Sequence, residues 1–194
     1  MAFVFSIWEI LDIVFMSVIV GIIFMDFLKK FRTVSIEEYY FKNKIKSAVN
    51  DFKFAVIATV PAILLHELGH KFIAMAFGLT AVFKAAYLWL GIGLILKFTG
   101  MVFFIPAYVS IGAPAGMHVP SYIFSIIAFA GPAVNLILWI LAYFAIKRNW
   151  FGDKYKPLIY LTKQINMFLF LFNMLPLPGF DGYQVYKGLF QYIF

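Results

Sequence analysis

The amino-acid sequence predicts an all-α polytopic membrane protein with about four to five transmembrane helices and a re-entrant β-hairpin or sheet between the second and third clear spans. Hydrophobic residues make up 64% of the 194 residues, aromatic residues 21% and charged residues only 13%, which argues against a water-soluble fold. Long apolar runs also recur along the chain, and each is close to the roughly 20 residues that a helix needs to cross a hydrocarbon layer. Both observations predict a chain that crosses a bilayer several times.

The first predicted region, residues 1–53, contains a transmembrane helix over about residues 3–27 and a polar, basic linker. The helix has no basic segment before it and no small-residue cleavage site, so we expect a retained anchor rather than a signal peptide. It carries Glu9 and Asp12, which share one helix face. Either a functional pair or a position near the membrane interface would explain these two acids.

The second predicted region, residues 54–183, is the core of the protein. Its first span starts near Phe54 and ends near Gly78, a plausible helix stop. Two further spans are predicted over about residues 121–146 and 158–175. A short amphipathic tail is predicted over residues 184–194.

The segment from residue 81 to 118 has two possible interpretations. Repeated glycines and prolines interrupt its apolar run, while its β-branched and aromatic residues suit strands. Irregular backbone at membrane depth is tolerated only where protein or a watery cavity satisfies its polar groups. We therefore favour a re-entrant hairpin, with a true membrane span as the alternative.

The charge pattern indicates contact with membrane lipid rather than nucleic acid. The formal net charge is +7, but the basic residues cluster between apolar runs, where they meet anionic headgroups. The chain has no cysteine, which excludes disulfides, thiolate zinc sites and a cysteine nucleophile. We expect a multi-pass integral protein of the cell membrane, and the sequence leaves its oligomeric state open.

The sequence His66-Glu67-Leu68-Gly69-His70 matches the HExxH pattern on a predicted helix. Side chains four residues apart share one helix face, so two imidazoles can bind one Zn²⁺ ion, while Glu67 can act as the general base toward a zinc-bound water. A chance match is the alternative. However, the chain has only three histidines, and a polar group on an apolar helix is costly without a partner.

A hydrolytic zinc site usually has three protein ligands, so a third ligand is needed from elsewhere in the chain. His118 is the one remaining histidine, and it fits either a loop residue or a substrate contact. Among the acids, Asp181 lies in a stretch of prolines and glycines that can turn its carboxylate toward a neighbouring span. A solvated aspartate in a helix-ending loop explains the same stretch equally well.

The combination of HELGH in one span with NxxPxxxxDG near a later one resembles the site-2 protease family of intramembrane zinc metalloproteases. Three motifs carry the resemblance: HELGH, the GPxxN sequence that ends at Asn135, and the NxxPxxxxDG sequence that starts at Asn173 and contains Asp181. Their order and spacing make the match more specific than HExxH alone. The local sequence departs from many relatives at Phe180 and Tyr183, on either side of the Asp-Gly pair.

The resemblance implies that one Zn²⁺ per chain is bound by His66, His70 and Asp181, with Glu67 as the catalytic residue. It also implies that Asn135 and Asn173 lie near the cleft as substrate-binding residues. The expected activity is hydrolysis of peptide bonds in or near transmembrane segments of membrane proteins, by Glu-assisted attack of zinc-bound water. A membrane protein that holds or transports a metal ion is the rival interpretation, because intramembrane His and carboxylate residues also mark ion pathways.

Membrane orientation is open at this stage. The 26–53 linker contains seven Lys or Arg residues and the 147–157 connection contains four. If the 81–118 segment is re-entrant, both lie on one side of the membrane, and the positive-inside rule places that side in the cytoplasm. The resemblance instead implies that the 81–118 hairpin and the metal-proximal helix ends face the cytosol.

Overall fold

A computed structural model of the chain describes residues 4–34, 44–101 and 105–193. The described elements are six α-helices and two β-strands, with short 3₁₀ turns at Lys29–Phe31 and Asp153–Tyr155. In chain order they are α1 (Ile7–Leu28), α2 (Lys44–Ala76), β1 (Thr80–Ala85), α3 (Tyr87–Lys97), β2 (Ala107–Gly112), α4 (Ser121–Lys147), α5 (Lys156–Asn173) and α6 (Asp181–Ile193).

Three helical stretches in the described part of the chain are long and apolar enough to cross a membrane. They are Ile7–Phe31, Lys44–Ala76 and Ser121–Lys147. The fourth predicted span is helical as expected, but α5 has only 18 residues and does not reach the same hydropathy, because polar residues such as Lys163 and Asn166 interrupt it. The structure therefore supports a membrane protein with three candidate spans and does not confirm four to five.

Helix α1 begins with a capping box in which the Ser6 hydroxyl accepts a hydrogen bond from the Glu9 backbone N–H, and the Glu9 carboxylate accepts one from the Ser6 N–H. Large apolar side chains on its outer surface, such as Ile10 and Val14, are about half exposed, at 52% and 55%. Exposed side chains of this kind suit contact with lipid rather than water.

Helix α2 begins ten residues earlier than the sequence suggested. The segment 44–53 was expected to be linker because of its charges, but it continues the apolar helix; the rest of the linker, 35–43, lies outside the described residues. Pro61 lies inside this helix. The helix ends as predicted, because Gly78 adopts a φ of +76°, and the Leu79 N–H bonds back to the Ala74 carbonyl.

Strands β1 and β2 form an antiparallel sheet with a register from Thr80 opposite Gly112 to Ala85 opposite Ala107. The prediction of β structure between the second and third clear spans is thus confirmed, and the described part of this segment contains no helix of spanning length. The eleven-residue helix α3 in the connection was not predicted. The glycines of this segment predict interruptions of regular structure, but Gly91 and Gly93 lie inside the helix.

Helix α2 lies at the centre of the fold, in contact with α1 on one side and α4 on another. The sheet packs against both α1 and α2 through a cluster that includes Met16, Val60, Ile63 and Phe83. Helix α4 in turn packs against α5 and α6. This arrangement brings the middle of α2, the middle of α4 and the first residue of α6 together.

Candidate metal centre

Three side chains that are far apart in sequence converge at the centre of the fold. The Nε2 atoms of His66 and His70, one turn apart on α2, lie 3.1 Å from each other. The Oδ2 atom of Asp181, at the start of α6, lies 3.1 Å from the first and 3.4 Å from the second. No other group of three potential metal ligands was found in residues 4–34, 44–101 and 105–193.

The hydrogen bonds of Asn135 determine which nitrogen of His66 is available to a metal. The Asn135 amide nitrogen donates to the Ala62 carbonyl (3.1 Å) and to the Asn166 side-chain oxygen (2.9 Å). Its oxygen therefore faces the His66 Nδ1 atom, at 2.6 Å, and accepts a hydrogen bond from it. With the proton on Nδ1, neutral His66 directs the lone pair of Nε2 toward the site.

His70 is oriented in the same way by a backbone group. Its Nδ1 atom lies 2.7 Å from the carbonyl oxygen of Ile127 on α4, and a carbonyl can only accept. The Nδ1 atom must carry the proton, so the Nε2 lone pair again points into the site. Both histidines are thus held in the tautomer that a metal ligand requires.

Asp181 is placed by the non-helical turn that precedes α6. The chain passes so close to itself there that a Cβ atom on Gly182 would lie 2.5 Å from the Met174 carbonyl. The Oδ2 atom of Asp181 faces the two Nε2 atoms, and a carboxylate oxygen is a common third zinc ligand beside two histidines.

The donor set fits a zinc ion. Two imidazole Nε2 atoms and one carboxylate oxygen, all electron-rich, lie within 3.4 Å of one another, so they repel unless a cation lies between them. Two histidines and one carboxylate are also a common ligand set of hydrolytic zinc, and they leave a further coordination position for a reacting group. No cysteine is present to give a closed, purely structural thiolate site.

Two glycines create the space for this arrangement. A Cβ atom on Gly69 of α2 would lie 2.9 Å from the Ala130 carbonyl, so this glycine permits the close approach of α2 and α4. A Cβ atom on Gly131 would lie 2.7 Å from the His66 Nε2 atom and would also collide with the His70 ring. Gly131, the first residue of the GPxxN sequence, therefore leaves room for the two imidazoles beside α4.

The remaining predicted site residues occupy different surroundings. Glu67 is buried, interacts electrostatically with the three ligands and is not itself one of them. Asn173 is the last residue of α5 and is partly buried. His118 is exposed in the segment before α4, away from the metal-ligand cluster. The structure contains no substrate, so contact of Asn135 and Asn173 with a substrate stays a prediction.

Two residues that the sequence did not single out support the site. Asn166 is fully buried, and it connects the Asn135 amide to the Thr162 carbonyl, to which its own nitrogen donates at 2.8 Å. Lys71, the residue after His70, is 2% exposed and forms an ion pair with Glu9. Their position inside apolar runs was the available signal, because buried polar groups need partners. Glu9 is itself buried in the fold, in the first turn of α1.

Comparison with known proteins identifies several relatives. The chain is 33% identical over 137 residues, 70% of each protein, to a Methanocaldococcus jannaschii protein named "Putative zinc metalloprotease MJ0611". It is 27% identical over 150 residues, 70% of this chain and 68% of the relative, to "Putative zinc metalloprotease YwhC" of Bacillus subtilis. It is 31% identical over 153 residues, 71% of this chain and 57% of the relative, to "Putative zinc metalloprotease Rip2" of Mycolicibacterium smegmatis. No family model and no solved structure matches the chain.

Proposed function

Because the chain belongs to the site-2 protease family of zinc metalloproteases, we propose that it hydrolyses peptide bonds in or near the transmembrane segments of other membrane proteins. The observation that carries this proposal is the convergence of His66, His70 and Asp181 on one point, with both imidazoles held in the metal-binding tautomer. This site lies on α2, a helix that is long and apolar enough to span a membrane.

His66, His70 and Asp181 are the residues that would bind one Zn²⁺ per chain. Zinc bound there would polarise the scissile carbonyl group and make a water molecule acidic enough to react near neutral pH. The protein contributes the fixed directions of the two imidazoles, through Asn135 and the Ile127 carbonyl, and it buries both rings while Asp181 stays partly exposed.

Glu67 is the proposed general base and later the general acid. Its carboxyl group is buried next to the ligands, close enough to interact electrostatically with all three. From there it would take a proton from the attacking water and return it to the amine that leaves the peptide. Because Glu67 is not a ligand, its substitution separates proton transfer from metal binding.

The two asparagines have different surroundings, and we assign them different roles. Asn135 is fully buried and uses its amide nitrogen and oxygen in bonds to Ala62, Asn166 and His66. These contacts favour a positioning role over the substrate contact predicted for it. Asn173, at the end of α5 and only partly buried, keeps the proposed substrate-binding role.

The substrate must present extended backbone at the site, because the carbonyl groups of a helix are engaged in internal hydrogen bonds. The sheet formed by β1 and β2 packs on α2 and offers an edge to which an unwound segment can add as a strand. We therefore propose a multi-pass enzyme of the cell membrane whose partners are transmembrane protein substrates and the surrounding lipid.

The test is a comparison of the wild-type chain with Glu67→Gln in lipid vesicles that also contain a pool of single-span membrane peptides. We expect zinc-dependent cleavage by the wild type, a loss of about 10²- to 10⁴-fold in Glu67→Gln, and an equal zinc content of about one per chain in both proteins. Cleavage unaffected by Glu67→Gln would refute the mechanism. Zinc uptake into the vesicles without any cleavage would instead support the metal-transport interpretation.

A further inference from the structure

Helix α1 contacts the sheet through two carboxylates that bind the backbone of strand β1. The Glu9 Oε1 atom accepts a hydrogen bond from the Phe83 N–H at 2.7 Å, and it also accepts one from the Lys71 ammonium at 2.5 Å. The Asp12 Oδ2 atom accepts a hydrogen bond from the Ala85 N–H at 3.2 Å. These are backbone groups that an added strand would otherwise use.

Lys71 completes the same set of contacts from the other side. Its ammonium group donates to the Ala81 carbonyl at 2.7 Å while it pairs with Glu9. Lys71 directly follows the zinc ligand His70, so this bond ties the sheet to the metal-binding turn of α2. We call Glu9, Asp12 and Lys71 the edge clamp.

The register of the sheet shows which edge stays open. In an antiparallel pair, every second residue directs its N–H and C=O groups away from the partner strand. The residue directly opposite it also directs its N–H and C=O groups outward. Ala81, Phe83 and Ala85 direct theirs toward the edge clamp. Their partners on β2 therefore direct N–H and C=O groups to the opposite edge of the sheet; these partners are Ile111, Val109 and Ala107.

Strand β2 packs in the same apolar cluster as a residue that orients one of the zinc ligands. Val109 and Ile111 pack in one apolar cluster with Ile127, whose carbonyl group orients His70. Among the residues that the structure describes, none forms a hydrogen bond with the outward backbone groups of Val109 and Ile111. This edge can therefore accept a strand, while the edge of β1 is occupied by the edge clamp.

We propose that the edge clamp is a positioning device for catalysis, an inference that rests on the proposed function. Glu9, Asp12 and Lys71 occupy the edge of β1 and fix the sheet relative to His70, so that an extended substrate segment adds to β2 alone. The Glu9 and Lys71 charges neutralise each other in a buried location, where an unpaired charge would be costly. The first helix is thus a part of the substrate-binding structure in addition to being an anchor.

A cysteine pair tests which edge binds peptide. The natural chain has no cysteine, and Val82 and Ser110 lie directly opposite each other on the exposed face of the sheet. The probe is a short extended peptide that ends in a zinc-binding hydroxamate and carries one cysteine activated as its 2-pyridyl disulfide. It is added to the zinc-loaded full chain in vesicles, and exchange with a protein thiol forms the mixed disulfide and releases 2-thiopyridone. A strand added to β2 lies about 5 Å from Ser110 and about 10 Å from Val82.

We expect the probe to form a mixed disulfide with Ser110→Cys several times faster than with Val82→Cys. Equal rates, or a faster reaction with Val82→Cys, would overturn the proposal. Neither substitution touches the edge clamp, so the result does not depend on whether clamp variants fold.

A second measurement tests positioning itself. We expect Asp12→Leu to weaken the peptide hydroxamate about three- to tenfold through the loss of one backbone hydrogen bond. The affinity for acetohydroxamate, which has no peptide part, should stay unchanged, and Asp12→Asn, which keeps an acceptor, should preserve most of the peptide affinity. Equal weakening of both probes, or equal effects of both variants, would show a merely structural role and overturn the proposal.

Backbone amide exchange separates this proposal from the proposed function. In the wild type with or without zinc, the Ala85 amide should exchange slowly, and Asp12→Leu should accelerate it while Asp12→Asn should not. An Ala85 amide that is indifferent to Asp12→Leu would overturn the clamp. If neither hydroxamate binds to the zinc-loaded wild type, the proposed function fails, and the amide exchange still decides the clamp.

Discussion

The two sides of helix α2 bury polar side chains in different ways. Toward α4 and α6, His66 and His70 each use one ring nitrogen in a neutral hydrogen bond and direct the other at Asp181. Toward α1 and the sheet, Lys71 and Glu9 use their charges on each other and on the backbone of β1. Adjacent residues of one helix thus belong to two different kinds of polar cluster.

The hydrogen-bond partners of the buried groups distinguish a metal site from a structural ion pair. In the structural cluster every buried donor meets an acceptor, so nothing further is needed for neutrality. In the other cluster three electron-rich atoms meet one another and need a cation between them. Variants on the zinc side should therefore change metal binding, while variants on the sheet side should change stability and leave metal binding intact.

The largest expected effect is the loss of zinc in Asp181→Ala. Removal of one of three protein ligands should reduce the bound zinc from about one per chain to below about a tenth after dialysis. The matched control is Asp153→Ala, which removes an exposed aspartate that pairs with Lys156 on the surface. Elemental analysis of the purified proteins measures both, and undiminished zinc in Asp181→Ala would remove this residue from the ligand set.

On the sheet side, Lys71→Met should destabilise the fold while the surviving protein still binds zinc. It leaves the Glu9 carboxylate buried and unpaired, at a cost of about 3 to 5 kcal/mol. The double variant with Glu9→Gln should recover much of this loss, because it removes the unpaired charge. Thermal unfolding in detergent measures the stability, and a double variant no more stable than Lys71→Met would contradict the account of the pair.

Gly131→Ala should sharpen the comparison by disturbing only the zinc side. The new methyl group would collide with both imidazoles, so the rings must shift and the zinc affinity should fall about tenfold or more. Gly91→Ala on α3 is the control, because a Cβ atom there meets nothing within 4 Å. Competition with a fluorescent chelator gives both affinities, and equal values for the two variants would show that the glycine is not needed for the site.

The smallest effect on zinc affinity is expected for Asn166→Leu, because Asn166 reaches the metal only through Asn135 and His66. Loss of its contact with Asn135 loosens the bond that orients His66, and a change of about tenfold in zinc affinity is expected for such an outer partner. Gln164→Leu, a polar-to-apolar change two residues away on the same helix, should leave the affinity unchanged. If Asn166→Leu and Gln164→Leu have the same zinc affinity, the Asn166 contact has no role in metal binding.

The sequence was most informative where a local rule applied. Helical spacing alone places His66 and His70 on one face, and the stop at Gly78 follows from its conformational freedom. The position of Asp181 depends on how α6 packs against α2, which no local pattern specifies. The family resemblance, rather than spacing, therefore identified it as a ligand.

Other features were missed because they depend on tertiary contacts. Asn166 contacts Asn135 only because α4 and α5 pack together, and this packing is not visible in the local sequence. The ion pair of Glu9 was not predicted, because its partner Lys71 lies 62 positions away in the chain. The first ten residues of α2 and the whole of α3 were not predicted as helix, because their charges and glycines were interpreted as interruptions of regular structure.

The central claim is that His66, His70 and Asp181 bind one zinc ion. X-ray absorption at the zinc edge of the purified wild-type protein tests it most directly, since the technique distinguishes imidazole nitrogen from water and sulfur. The account predicts two imidazole ligands plus oxygen ligands at about 2.0 to 2.2 Å, and only one imidazole in any zinc that His66→Ala retains. A spectrum without imidazole, or one unchanged by His66→Ala, would contradict it.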